Sequence, residues 1–131
     1  VLGQTGADHV EHHPDSTFPV IAPLTCSLVE KRGTVRFLDG SRLSRIYARG
    51  EAVEGYHCNY GLNPEFEPLL AGGPLRITCR DLSGDVRGVE LDGHPFYIGT
   101  LFQPERGALS GVTPPLALAL LRAATRHETA V

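Results

Sequence analysis

Apolar and polar residues alternate in three stretches of the chain. Thr34-Val35-Arg36-Phe37-Leu38, Leu75-Arg76-Ile77-Thr78-Cys79-Arg80 and Val86-Arg87-Gly88-Val89-Glu90-Leu91 each send every second side chain to one face, the period of a half-buried strand. Ser83-Gly84-Asp85 predicts a hairpin turn between the last two. Asp39-Gly40 predicts a second hairpin, whose return strand runs from Ser41 to Tyr47. Phe18 to Leu24 is short, apolar and proline-bounded, as an edge strand or extended segment would be. Glu51 to Tyr60 continues in β-type residues, and Gly61-Leu62-Asn63-Pro64 closes it. Glu65 to Leu70 makes one or two helical turns, stopped by Gly72-Gly73-Pro74.

Two further elements lie near the end of the chain. Asp92-Gly93 turns into Phe96 to Phe102, whose nearly continuous apolar character predicts a strand buried on both faces. That strand stops abruptly at Gln103-Pro104-Glu105, a polar corner of the kind α/β proteins use for chemistry. Thr113 then predicts an N-cap, with prolines in the first turn of a strongly apolar helix from Leu116 to Ala124. Arg122, Arg126 and His127 follow towards its C-terminal end, where cations suit the macrodipole.

Composition narrows the classes. A chain of 131 residues with 41% hydrophobic and 21% charged residues is one domain's worth of ordinary globular polypeptide. Its formal net charge of −3 gives no case for nucleic acid. No apolar run approaches the ~20 residues that span a bilayer, which speaks against a membrane role. The three cysteines, Cys26, Cys58 and Cys79, form no Cys-x-x-Cys pair. An odd, widely spaced set fits a reducing, cytoplasmic setting. Methionine is absent, even from position 1, so the chain is expected to be part of something longer.

Candidate chemistry starts with Asp8, His9, Glu11, His12 and His13. Imidazoles at such spacings suit zinc or copper. A catalytic zinc helix needs two histidines bracketing a glutamate at fixed spacing and a third ligand downstream, and Pro14 limits any helix here. No metal and no cofactor are therefore expected. Arg36, Arg42, Arg45 and Arg49 resemble an anion site, but with Asp39, Glu51 and Glu54 near them a solvated hairpin face is the plainer expectation. His94 reads as a turn residue. The cysteines read as structural thiols, although Cys58 stands beside His57, and a histidine neighbour lowers a thiol pKa.

Three blocks of the sequence resemble one family. They are Ala7-Asp8-His9-Val10-Glu11-His12-His13-Pro14 with Phe18-Pro19-Val20-Ile21, then Glu54-Gly55-Tyr56-His57-Cys58-Asn59-Tyr60-Gly61-Leu62-Asn63, then His94-Pro95-Phe96-Tyr97 through Gln103-Pro104-Glu105. In this order the chain is similar to the C-terminal half of a class I glutamine amidotransferase domain of the CTP synthase type. It resembles in particular a bacterial group described as CTP synthase C-terminal region-related (seleno)proteins. In the second block the family reads Glu-Arg-His-Arg-His-Arg-Tyr-Glu-Val-Asn, and in the third it ends in Phe-His-Pro-Glu.

The resemblance implies a thiolate that attacks the side-chain amide of glutamine, activated by a histidine–glutamate pair. It assigns Glu11 to the substrate's α-amino group and Glu105 to orienting the catalytic histidine, although Glu105 also reads as a simple cap of the strand end. The departures matter as much. Gln103 stands where the family has the general base, and a carboxamide does not titrate near neutral pH. His57 replaces an arginine that grips the substrate's carboxylate in a bidentate fork. The nucleophile elbow falls before the segment that matches Val1.

Two readings follow. One is an amidotransferase-like enzyme whose nucleophile, cysteine or selenocysteine, lies upstream, so that this chain alone has no glutaminase activity. The other is a non-catalytic module that binds glutamine, a similar small amino acid, or a partner. The implied fold is α/β, the C-terminal half of a flavodoxin-like open-sheet domain with an antiparallel extension and a C-terminal helix. Residues 1–131 are then a single partial domain, with an open strand edge and an apolar face to be covered by the missing half or by a second copy.

Overall fold

The computed structural model describes residues 2–129, with side chains placed through residue 126. Eight strands form two sheets. The smaller joins β1 (Asp8–His9), β2 (Pro19–Pro23) and β5 (Tyr60–Leu62) in the order β1-β2-β5. The larger joins β3 (Lys31–Phe37), β4 (Glu51–Tyr56), β6 (Leu75–Asp81), β7 (Val86–Leu91) and β8 (Ile98–Thr100) in the order β4-β3-β6-β7-β8, every pair antiparallel. The helices are α1 (Arg42–Tyr47), α2 (Glu67–Ala71, after a 3-10 turn Pro64–Phe66), α3 (Glu105–Ala108) and α4 (Pro115–Thr129).

The alternation in β3 decides which face is covered. Val35 and Phe37 are buried while Arg36 between them is exposed, as a period-two strand with one wet face requires. Against that covered face lie Leu43 and Tyr47 from α1, Tyr56 from the end of β4, Cys79 from β6, and Phe102. The β6–β7 hairpin forms where alternation places it, and the helical turns before Gly72 are the 3-10 turn and α2.

The expected return strand from Ser41 to Tyr47 is instead α1. Ser41 caps it, its hydroxyl accepting the Ser44 N–H at 3.0 Å. A second acceptor arrives from far away in sequence. The buried Glu90 carboxylate of β7 accepts the N–H groups of Leu43 at 2.8 Å and Arg42 at 3.0 Å. Two of the orphan donors of a helix start are thus satisfied by an anion placed at the positive end of the helix. Leu43, Ile46 and Tyr47, at spacings of three and four, then face the core.

Three smaller expectations are corrected. β2 is the middle strand of its sheet, because its prolines stand at the two ends and leave the carbonyls of Val20 and Ile21 free to accept from Asn63 and Val10. Of Phe96 to Phe102, only Ile98–Thr100 is strand. It pairs on one side only, with β7, and is half-buried rather than buried on both faces. The last helix starts at Pro115, with the Pro114 carbonyl accepting the Leu118 N–H, so Thr113 stands one residue too early to be the cap. The His127 side chain lies outside the described ones.

A candidate amidotransferase-type corner

The chain after β8 runs through Phe102 into the polar corner and then α3. Phe102 is 1% exposed and anchors the corner in the core. The Thr100 hydroxyl donates to the Phe102 carbonyl at 2.8 Å, and the Gln103 N–H donates to the Gly55 carbonyl of β4 at 2.8 Å. The Arg106 side chain lies across Gly55, 3.4 Å from where a Cβ would stand. The corner is therefore clamped onto the end of β4, two residues before His57.

Gln103 and His57 are thus brought to one region, but they do not touch. The His57 Nδ1 lies 2.8 Å from a Glu30 carboxylate oxygen, and the other Glu30 oxygen takes the Arg106 guanidinium. Glu30 holds this position with φ at 53°, a left-handed conformation that costs a non-glycine residue about 1 kcal/mol. A cleft of about 350 Å³ opens beside it, its lining including Glu30, Glu54, Gly55, Pro104 and Arg106. Glu105 is exposed at the first position of α3 and makes no hydrogen bond to Gln103.

Glu11 sits elsewhere, exposed in the turn after β1. Its N–H donates to His9 Nδ1 at 3.1 Å, and the His9 ring meets Tyr60 at a tilt of 47°, with centroids 5.2 Å apart. In the same turn His13 Nδ1 meets the Asp8 carboxylate at 2.8 Å, and that bond, with the His9 N–H, holds the Asp8 carboxyl below the usual carboxylate range. Among the described residues no group of three or more His, Cys, Asp or Glu side chains is disposed to hold a metal ion.

The cysteines separate cleanly. The Cys58 thiol donates to the Tyr60 carbonyl at 2.9 Å, while His57 turns to Glu30, so the neighbours do not pair. Cys79 is buried, and burial pushes its thiol up to about 12. Cys26 is exposed. Sequence reasoning missed Glu30 and Arg106, which lie 76 residues apart and meet only through the fold.

The architecture is that of a glutaminase domain. The chain superposes on the glutaminase domain of the Trypanosoma brucei CTP synthase with bound acivicin at a TM-score of 0.83 and 21% identity, covering 96% of this chain and 53% of that one. In sequence it is related to CTP synthases. It is 32% identical over 134 residues to the enzyme of Methanopyrus kandleri, matching 95% of this chain and 25% of that protein. It is 32% identical over 133 residues to that of Sulfurisphaera tokodaii, with the same two shares, and 33% identical over 127 residues to that of Halobacterium salinarum, with 88% and 22%. The chain spans about a quarter of the length of these curated relatives. No protein-family model matches it.

Proposed function

We propose that these residues are the C-terminal part of a glutaminase-like amidotransferase domain that, as this chain, does not hydrolyse glutamine. The observation that carries the reading is the corner itself. It is anchored by Phe102 and clamped to Gly55, yet it presents the carboxamide of Gln103 in the place of a base. Glu105 has no imidazole to orient. None of the three cysteines supplies a nucleophile: Cys58 is engaged with the Tyr60 carbonyl, Cys79 is buried and held protonated, and Cys26 is exposed with no hydrogen bond to a histidine among the described residues. Catalysis here needs a cysteine or selenocysteine from outside the 131 residues. A largely ionised selenol would lessen the need for the base that Gln103 lacks.

Glu30 favours a second, non-catalytic reading. His57 stands where the family grips the ligand's carboxylate, and a carboxylate of the protein itself already occupies it. On this reading the module binds glutamine or a similar amino acid weakly, or binds a partner. Both readings place the open edges of β4 and β8 and the leucines of α4 against a covering segment, the nucleophile-bearing half or a second copy.

Ammonia release by the complete reading frame tests the proposal. The expected result is none from this chain alone, and release lost on changing an upstream nucleophile. Turnover by the chain alone that disappears in Cys58→Ala would overturn the first reading. For the second, Glu30→Ala is expected to tighten glutamine binding in calorimetry; unchanged binding removes Glu30 as the occupant.

A further inference from the structure

Four arginines meet at one cleft between α1, the loop that carries Pro95 and Phe96, and α4. The cleft has a volume of about 590 Å³, in the range of small-molecule sites. Arg42 and Arg45 reach it from α1, Arg122 and Arg126 from α4, and no aspartate or glutamate among the described residues lines it. A chain with 15 acidic against 12 basic residues thus gathers four of its cations at one cleft. The expectation of a solvated, acid-balanced hairpin face fails here because Ser41–Tyr47 is a helix. Arg36 keeps its Glu51 partner, whereas Arg42 and Arg45 are carried away from it.

Arg42 and Arg45 are held in place by backbone carbonyls rather than by carboxylates. Arg42 donates to the carbonyls of His94 at 2.7 Å and Pro95 at 2.9 Å, and Arg45 to that of Gly40 at 2.6 Å. Carbonyls orient a guanidinium without neutralising it. Arg42, Arg45 and Arg122 form no ion pair with an acidic side chain among the described residues, and Arg122 and Arg126 stand at i, i+4 on α4, a spacing at which like charges repel. Between the charges lies an apolar floor that includes Phe96 and Leu118. Guanidinium forks match phosphate oxygens in pairs, and the floor suits a ring or hydrocarbon body.

We propose that this cleft binds a small organic anion carrying at least two phosphate groups, its charged end on Arg42, Arg45 and Arg122 and its apolar end against Phe96 and Leu118. Calorimetry on the full polypeptide at low salt tests it with three probes: adenosine triphosphate, inorganic tripolyphosphate and an acidic hexapeptide. Adenosine triphosphate is expected to bind tighter than tripolyphosphate, and both to weaken with salt. Arg45→Gln with Arg122→Gln, both exposed and outside the core, is expected to weaken both phosphates at least about tenfold, the loss of two charge-assisted contacts, at an unchanged thermal midpoint. Phe96→Ala is expected to weaken only adenosine triphosphate. No binding of either phosphate, affinities unchanged in the double variant, equal affinity for the two phosphates, or tightest binding of the peptide would each overturn it.

Discussion

The α1 side and the α4 side of the molecule treat apolar residues in opposite ways. Around α1, Val35 and Leu43 are fully buried, and the buried Glu90 carboxylate caps the helix. Along α4, Leu116 alone among the described residues packs against that core, while Leu120 and Leu121 are 52% and 63% exposed. Leu109 and Val112, just before α4, are exposed as well. Leucines cannot hold a helix to a surface they do not touch. The α1 side closes on itself; the α4 side, with the open edge of β8, leaves apolar side chains and unpaired strand groups exposed.

Four substitutions or conditions break or sharpen that contrast. Phe102→Ala removes the ring that ties the corner to the core and is expected to cost about 3–5 kcal/mol in denaturant unfolding. Glu90→Ala leaves the Arg42 and Leu43 N–H groups without acceptors and is expected to cost about 2–3 kcal/mol, with Glu90→Gln costing less because one oxygen still accepts. Alkaline pH probes the same core. Burial raises Cys79 from 9.0 to about 12 and Tyr56 from 10.0 to about 12, so both ionise more readily unfolded. Their stabilisation is complete below pH 9.0 and lost as pH climbs towards 12; in Cys79→Ala the decline is expected to begin near pH 10 instead. Leu120→Ser with Leu121→Ser, on the uncovered side, is expected to change the chain's own stability by less than about 0.5 kcal/mol.

Much of this was legible in the residues, and the failures have physical causes. The β6–β7 hairpin shows because alternation and a glycine turn agree. α1 reads as a strand because Leu43, Ile46 and Tyr47 occur in a stretch too short to separate a period of two from 3.6, and Asp39-Gly40 precedes a helix as readily as a hairpin. Its deciding feature, the Glu90 cap, arrives from 47 residues away. At the corner, the stop of an apolar run at Gln103-Pro104-Glu105 is local and readable. The Glu30 bridge between His57 and Arg106 is tertiary, and the left-handed backbone of Glu30 has no signal in its residue type.

Light scattering on the purified 131-residue chain, coupled to size exclusion, tests the central claim that the α4 side is built to be covered. The account predicts self-association of the chain, or a stoichiometric complex with a segment bearing the nucleophile, and loss of that association in Leu120→Ser with Leu121→Ser. A monodisperse monomer at about 100 μM that also takes up no such segment would contradict it.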